Sequence, residues 1–124
     1  MAVHVNAGEL RHKIRIVERN TQRDKDGYQV HRDDPAYWKT VRRCYSRFTP
    51  ISGTETLKAG ADFTVERALF LVRWSKTPLH RKMFILFRGK EWEIIHLNDF
   101  GGRQYVDILA EWRSGKGGAV NDNQ

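Results

Sequence analysis

Residues Met83 to Leu97 carry the pattern that most restricts the fold. A short apolar run, Met83–Phe87, meets a tight turn at Arg88-Gly89-Lys90, and Glu91–Leu97 returns as a second run. Two such runs around a Gly-containing turn read as a β-hairpin. The same period of two recurs along the chain. In His12–Glu18, Ile14 and Ile16 point one way and Lys13, Arg15 and Val17 the other. Trp38–Thr49 alternates as a bent strand, with Trp38, Thr40, Arg42, Cys44, Ser46 and Phe48 on one side. Asp62–Trp74 places Glu66, Ala68, Phe70, Val72 and Trp74 on one face, and Gln104–Trp112 does the same with Val106, Ile108, Ala110 and Trp112.

The breaks between these runs are turn chemistry. Asp26-Gly27 marks a turn in the polar stretch 19–37, with Tyr28-Gln29-Val30 as the return arm of a ragged hairpin. Pro50–Ala61 interrupts the strand pattern: Ser52 and Glu55 have capping-box spacing for one short helical turn, which Gly60 would stop. Short strands joined by Gly, Pro and Asp turns predict an all-β chain, a small antiparallel β-barrel or sandwich of about six strands with long loops and at most a short helix. The expected organisation is one β-barrel domain over 1–113, with loops 19–37 and 50–62 projecting, and a flexible C-terminal tail over 114–124, which is rich in Gly, Lys and Asn.

Composition narrows the function. The 124 residues carry a formal net charge of +7, spread over both halves, which permits nucleic acid or an acidic protein as partner and demands neither. The longest apolar runs, Ala68–Val72 and Met83–Phe87, fall far short of the about 20 residues of a spanning helix, so no membrane role is expected. The N-terminal residues lack the pattern of a secretory signal. The lone Cys44 leaves no intrachain disulfide and no multi-Cys zinc site. Five His residues show no metal spacing, Asp24-Lys25-Asp26-Gly27 lacks the remaining ligands of a calcium loop, and there is no phosphate-binding Gly loop or nucleophile elbow. The chain is therefore expected to be no enzyme and to hold neither cofactor nor metal. One alternative stays open, a small barrel that binds nucleic acid. Lys39, Arg42, Arg43 and Arg47 interleave with Trp38, Tyr45 and Phe48, and Arg73, Lys76, His80, Arg81 and Lys82 form a second basic run. Core packing of the aromatics and solvated arginine stems would give the same pattern.

Several segments resemble the head–tail joining (head-completion, stopper or adaptor) proteins of tailed bacteriophages. Gly8-Glu9-Leu10-Arg11-His12-Lys13-Ile14 is similar to that family's opening, and Trp38 to its strand-opening Trp. Pro50-Ile51-Ser52-Gly53-Thr54-Glu55 resembles its Pro-Ile-Ser-Gly segment, and Leu71-Val72-Arg73-Trp74 its strand end. Met83–Ile94 is similar to its central hairpin, although Phe84 stands where the family often has Arg.

The resemblance implies a small β-barrel that works in the virion, at the head–tail interface, after synthesis in the bacterial host cytoplasm. It implies a homo-oligomeric ring, dodecameric or hexameric, under the portal or a portal-side adaptor protein. The ring would extend and close the channel through which packaged DNA passes, and would dock a tail terminator or other tail-side protein. The channel loop carries over to Ile51, Ser52, Gly53, Thr54, Glu55, Thr56, Leu57, Lys58, Ala59, Gly60, Ala61, Asp62 and Phe63. Arg42, Arg43 and Arg73 are the candidates for contact with a neighbouring subunit, the portal or DNA, with plain solvated surface as the other reading.

Overall fold

The computed structural model describes residues 7–23, 25–32, 34–56 and 64–114. Six strands, β1 (His12–Arg19), β2 (Trp38–Thr56), β3 (Thr64–Arg73), β4 (Phe84–Phe87), β5 (Lys90–Phe100) and β6 (Tyr105–Ser114), form a closed antiparallel barrel. Their order around the wall is β1-β2-β3-β6-β5-β4, and β4 returns to β1. Single 3-10 turns stand at Ala7–Glu9 and Pro35–Tyr37. The all-β expectation holds.

The period-two pattern explains the interior. Ile14 and Ile16 of β1, Ala68, Phe70 and Val72 of β3, Ile85 and Phe87 of β4, Trp92 and Ile94 of β5, and Val106, Ile108 and Ala110 of β6 meet in one buried cluster. Phe70 stands at its aromatic centre, 5.3 Å from Phe48, 5.5 Å from Trp92 and 5.7 Å from Phe87 between ring centroids. Burying each large apolar side chain of this kind stabilises the fold by about 1.5–3 kcal/mol. The β4–β5 connection is a two-residue turn, since Phe87 pairs with Lys90. Arg88 and Gly89 both take positive φ, 54° and 74°, the backbone that matches the twist of a tight hairpin.

The wall is unevenly closed. β3 and β6 pair over their full lengths, from Thr64↔Ser114 to Arg73↔Tyr105. β1 and β4 meet through only Arg15↔Leu86, Ile16↔Ile85 and Val17↔Phe84.

Three expectations change. First, Pro50 does not end its strand and Ser52 caps no helical turn: β2 runs on to Thr56, with Glu55 opposite Val65 and Thr56 opposite Thr64. The pairing of β1 with β2 begins at His12↔Ser46, so Pro50 lies where β2 has β3 on one side only, and a proline is tolerated at such an edge. A register shift between Ile51 and Glu55 absorbs the extra residues. Second, Val17 is fully buried although alternation puts it on the outer wall. Its cross-strand neighbours are Thr40 and Phe84. Phe84 packs on Trp38 at 5.2 Å and Trp38 on Tyr37 at 4.9 Å, an aromatic group that keeps water off this patch. Third, β5 extends through Asn98 and Asp99 to Phe100 before the chain turns at Gly101-Gly102, a reach helped by a register shift between Ile94 and His96.

The 19–37 stretch is tied down at its base. Asn20 donates from its backbone N–H to the Tyr37 carbonyl at 2.8 Å and from its side chain to the Ala36 carbonyl at 2.9 Å. Arg32 forms an ion pair with Glu91 of β5. The Asp26-Gly27 turn is present, with Gly27 at φ 85°, but the return arm reduces to one bridge between Arg23 and Gln29.

Candidate functional site

The segment expected to gate a channel starts within the sheet. Ile51 is 40% exposed and stands opposite Arg67 on β3. The backbone from Ser52 to Thr56 continues β2, and 57–63 lie outside the described residues, as do 115–124. β2, β3 and β6 are thus still paired side by side where β2 and β3 lead to the segment that joins them.

The three arginines separate by face. Along β2, alternation turns Cys44, Ser46 and Phe48 inward, and Arg42 follows them at one end of the barrel. The next residue, Arg43, is exposed on the outer wall opposite Arg15. Arg73, the last residue of β3, is exposed, with its guanidinium carbon 6.0 Å from the centroid of the Tyr105 ring. Arg42 and Arg73 meet across a cleft of about 310 Å³ lined also by Leu10, Cys44 and Tyr45. Burial pushes the Cys44 thiol up from its ordinary range, with Arg42 pulling the other way. Such a thiol is a poor nucleophile at neutral pH.

Arg42 also lines a second cleft, of about 280 Å³, where the 74–79 connection crosses the end of the barrel beside Leu97 and Asp99. Its Nη1 is buried and has no hydrogen-bond partner.

Two of the three aromatic residues of the nucleic-acid alternative are engaged within the protein. Phe48 is spent on the core, 5.0 Å from Phe87, and Trp38 packs on Phe84. Tyr45 remains, 54% exposed, with Lys13 Nζ 5.9 Å from its ring. Other cations cover aromatic rings: Arg88 sits over Phe87 at 4.8 Å and Lys90 over Trp112 at 4.1 Å. Among the described residues, no group of three His, Cys, Asp or Glu side chains could hold a metal ion, and no helix is long and apolar enough to cross a membrane.

Residues 5–113 match the phage head completion protein family, so the match spans nearly the whole barrel. The chain belongs to this family. A head completion protein is a structural component of the phage virion, where it works with other structural proteins. Among solved structures, a chain of the virion of a native gene transfer agent particle shares the fold, with a TM-score of 0.64 and 14% identity over 86% of this chain and 96% of that one. No curated protein matches the chain.

Two features of this head completion protein escape a sequence reading. Glu111 is nearly buried on β6 and held by Arg67 at 3.0 Å from the opposite strand and by Arg113 at 3.1 Å. Asp107 is half-buried, with Oδ1 shut from water and unpartnered. Both look like ordinary outward-facing acids in an alternating strand; burial is what distinguishes them.

Proposed function

We propose that this head completion protein assembles as a ring of twelve or six copies under the portal or a portal-side adaptor. The ring extends the DNA channel, closes it after packaging and docks the tail. The supporting observation is the family match, whose bounds take in nearly the whole of a closed barrel in which β2 and β3 lead to the 57–63 connection. In a ring, rotational symmetry would place every copy of that connection equivalently about a common axis, where the copies can meet. Passage of DNA then requires movement of those connections alone, while the barrels stay rigid. The role is mechanical and needs no catalysis.

Electron microscopy of portal-bearing heads mixed with the purified chain tests this. The expected result is ring density below the portal; heads that never acquire it would overturn the reading. The gate is tested separately by replacing 57–63 with a tight turn between Thr56 and Thr64. Rings should persist and packaged DNA should escape. Heads that stay sealed would assign closure to another part of the protein.

A further inference from the structure

Arg42 is a charge without a local explanation. Its Nη1 is buried and lacks an acceptor among the described residues. A buried donor left unpaired is costly, and native proteins rarely keep one without a use. The cleft beside it has apolar walls, since Trp74, Leu79 and Leu97 also pack against the core. Lys76 and Asp99 stand exposed along its lining.

We propose that this cleft takes up one carboxylate, presented by an acidic side chain of a neighbouring virion protein, with an adjoining apolar side chain seated against Trp74 and Leu79. That the partner belongs to the virion rests on the head-completion reading; the cleft's preference for a carboxylate rests on its own geometry. Two cations against Asp99 leave an excess of one positive charge, which a single carboxylate neutralises. The guanidinium fork matches a carboxylate in two parallel hydrogen bonds, a charge-assisted contact stronger than a neutral one. A nucleic-acid backbone fits less well. It presents a row of phosphates and needs a row of exposed cations, whereas Arg42 is recessed and Asp99 repels a continuous anion.

The test is titration of the isotope-labelled full chain with the capped tripeptide leucyl-aspartyl-leucine amide, followed by NMR. Saturable shifts are expected at the Arg42 side-chain Nε–H and the Trp74 indole N–H. The asparagine counterpart should bind at least about tenfold more weakly, about 1.4 kcal/mol. Arg42→Met should abolish the response while melting at the same or a higher temperature than the parent chain. Lys76→Ala, at an exposed position, should weaken binding several-fold with the fold intact. Leu79→Asp, which supplies a carboxylate from the chain itself, should block the peptide, and these two variants decide the matter if Arg42→Met does not fold. Equal binding of the two peptides, or binding that survives Arg42→Met, would overturn the proposal. Displacement of the peptide by a short oligonucleotide would reassign the cleft to nucleic acid. In the head assay, Arg42→Met should fail to join heads that accept the parent chain, and normal joining would refute the role of the cleft in assembly. If the parent chain itself is not taken up, the head-completion reading fails, and the peptide titration still judges the cleft.

Discussion

At Asp107 and Arg42, position in the fold outweighs residue type. Asp107 alternates outward on β6, yet burial pushes its carboxyl above the usual carboxylate range, and Arg47 draws it only part of the way back. A raised value in the folded state means that the fold holds this proton more tightly than the unfolded chain does. The resulting stability is full below the unfolded value and is lost as pH rises through the raised folded one. Asp107→Asn, which keeps the shape and removes the charge, should therefore raise the melting temperature at neutral pH. The gain should shrink to nothing once pH falls below the carboxylate range, and paired thermal melts at the two conditions check this. Arg42 was legible as a candidate because it sits in a basic, aromatic strand. Its inward direction follows from sharing a face with Cys44 and Phe48, but its isolation does not. That depends on which groups Leu97 and the 74–79 connection bring near it.

Among the elements, the β4–β5 hairpin is where local sequence speaks most plainly. A Cβ added to Gly89 would touch nothing within 4 Å, so a substitution there meets no steric obstacle. Its φ of 74° is nevertheless a backbone that side chains disfavour. Gly89→Ala should cost about 1–2 kcal/mol from backbone strain alone. Urea unfolding should show a lower midpoint at unchanged slope. Strand β2 is the opposite case. Pro50 and Gly53 carry the local signals of a break, and Ser52 with Glu55 those of a helical turn. Pairing with β3 overrides them, because the cross-strand partners decide the conformation and local propensity within 50–56 does not register them. Val17 was misplaced for a related reason: alternation gives the direction of a side chain and says nothing about what stands over it. Two of the motifs that carried the family resemblance fared better. They begin strands or turns at Trp38 and Arg88-Gly89, where backbone geometry restricts the residue directly.

For the molecule as a whole, the barrel was legible because every strand except the ragged β2 keeps one apolar face, and closing the sheet buries all those faces together. The clefts at its end were not, because their walls come from segments far apart in the chain. The same closure has a weak stitch. Three residue pairs join β1 to β4, whereas ten join β3 to β6. Amides of Arg15, Ile16 and Val17 that face β4 should exchange with deuterium sooner than those in the middle of β3, and exchange followed by mass spectrometry or NMR would reveal the order. Equal protection all round would mean that the core, rather than the ladder of backbone bonds, sets the strength of the wall. If the stitch does yield first, the barrel has a built-in parting line, and a subunit strained from either face would unzip there while its long strands hold fast.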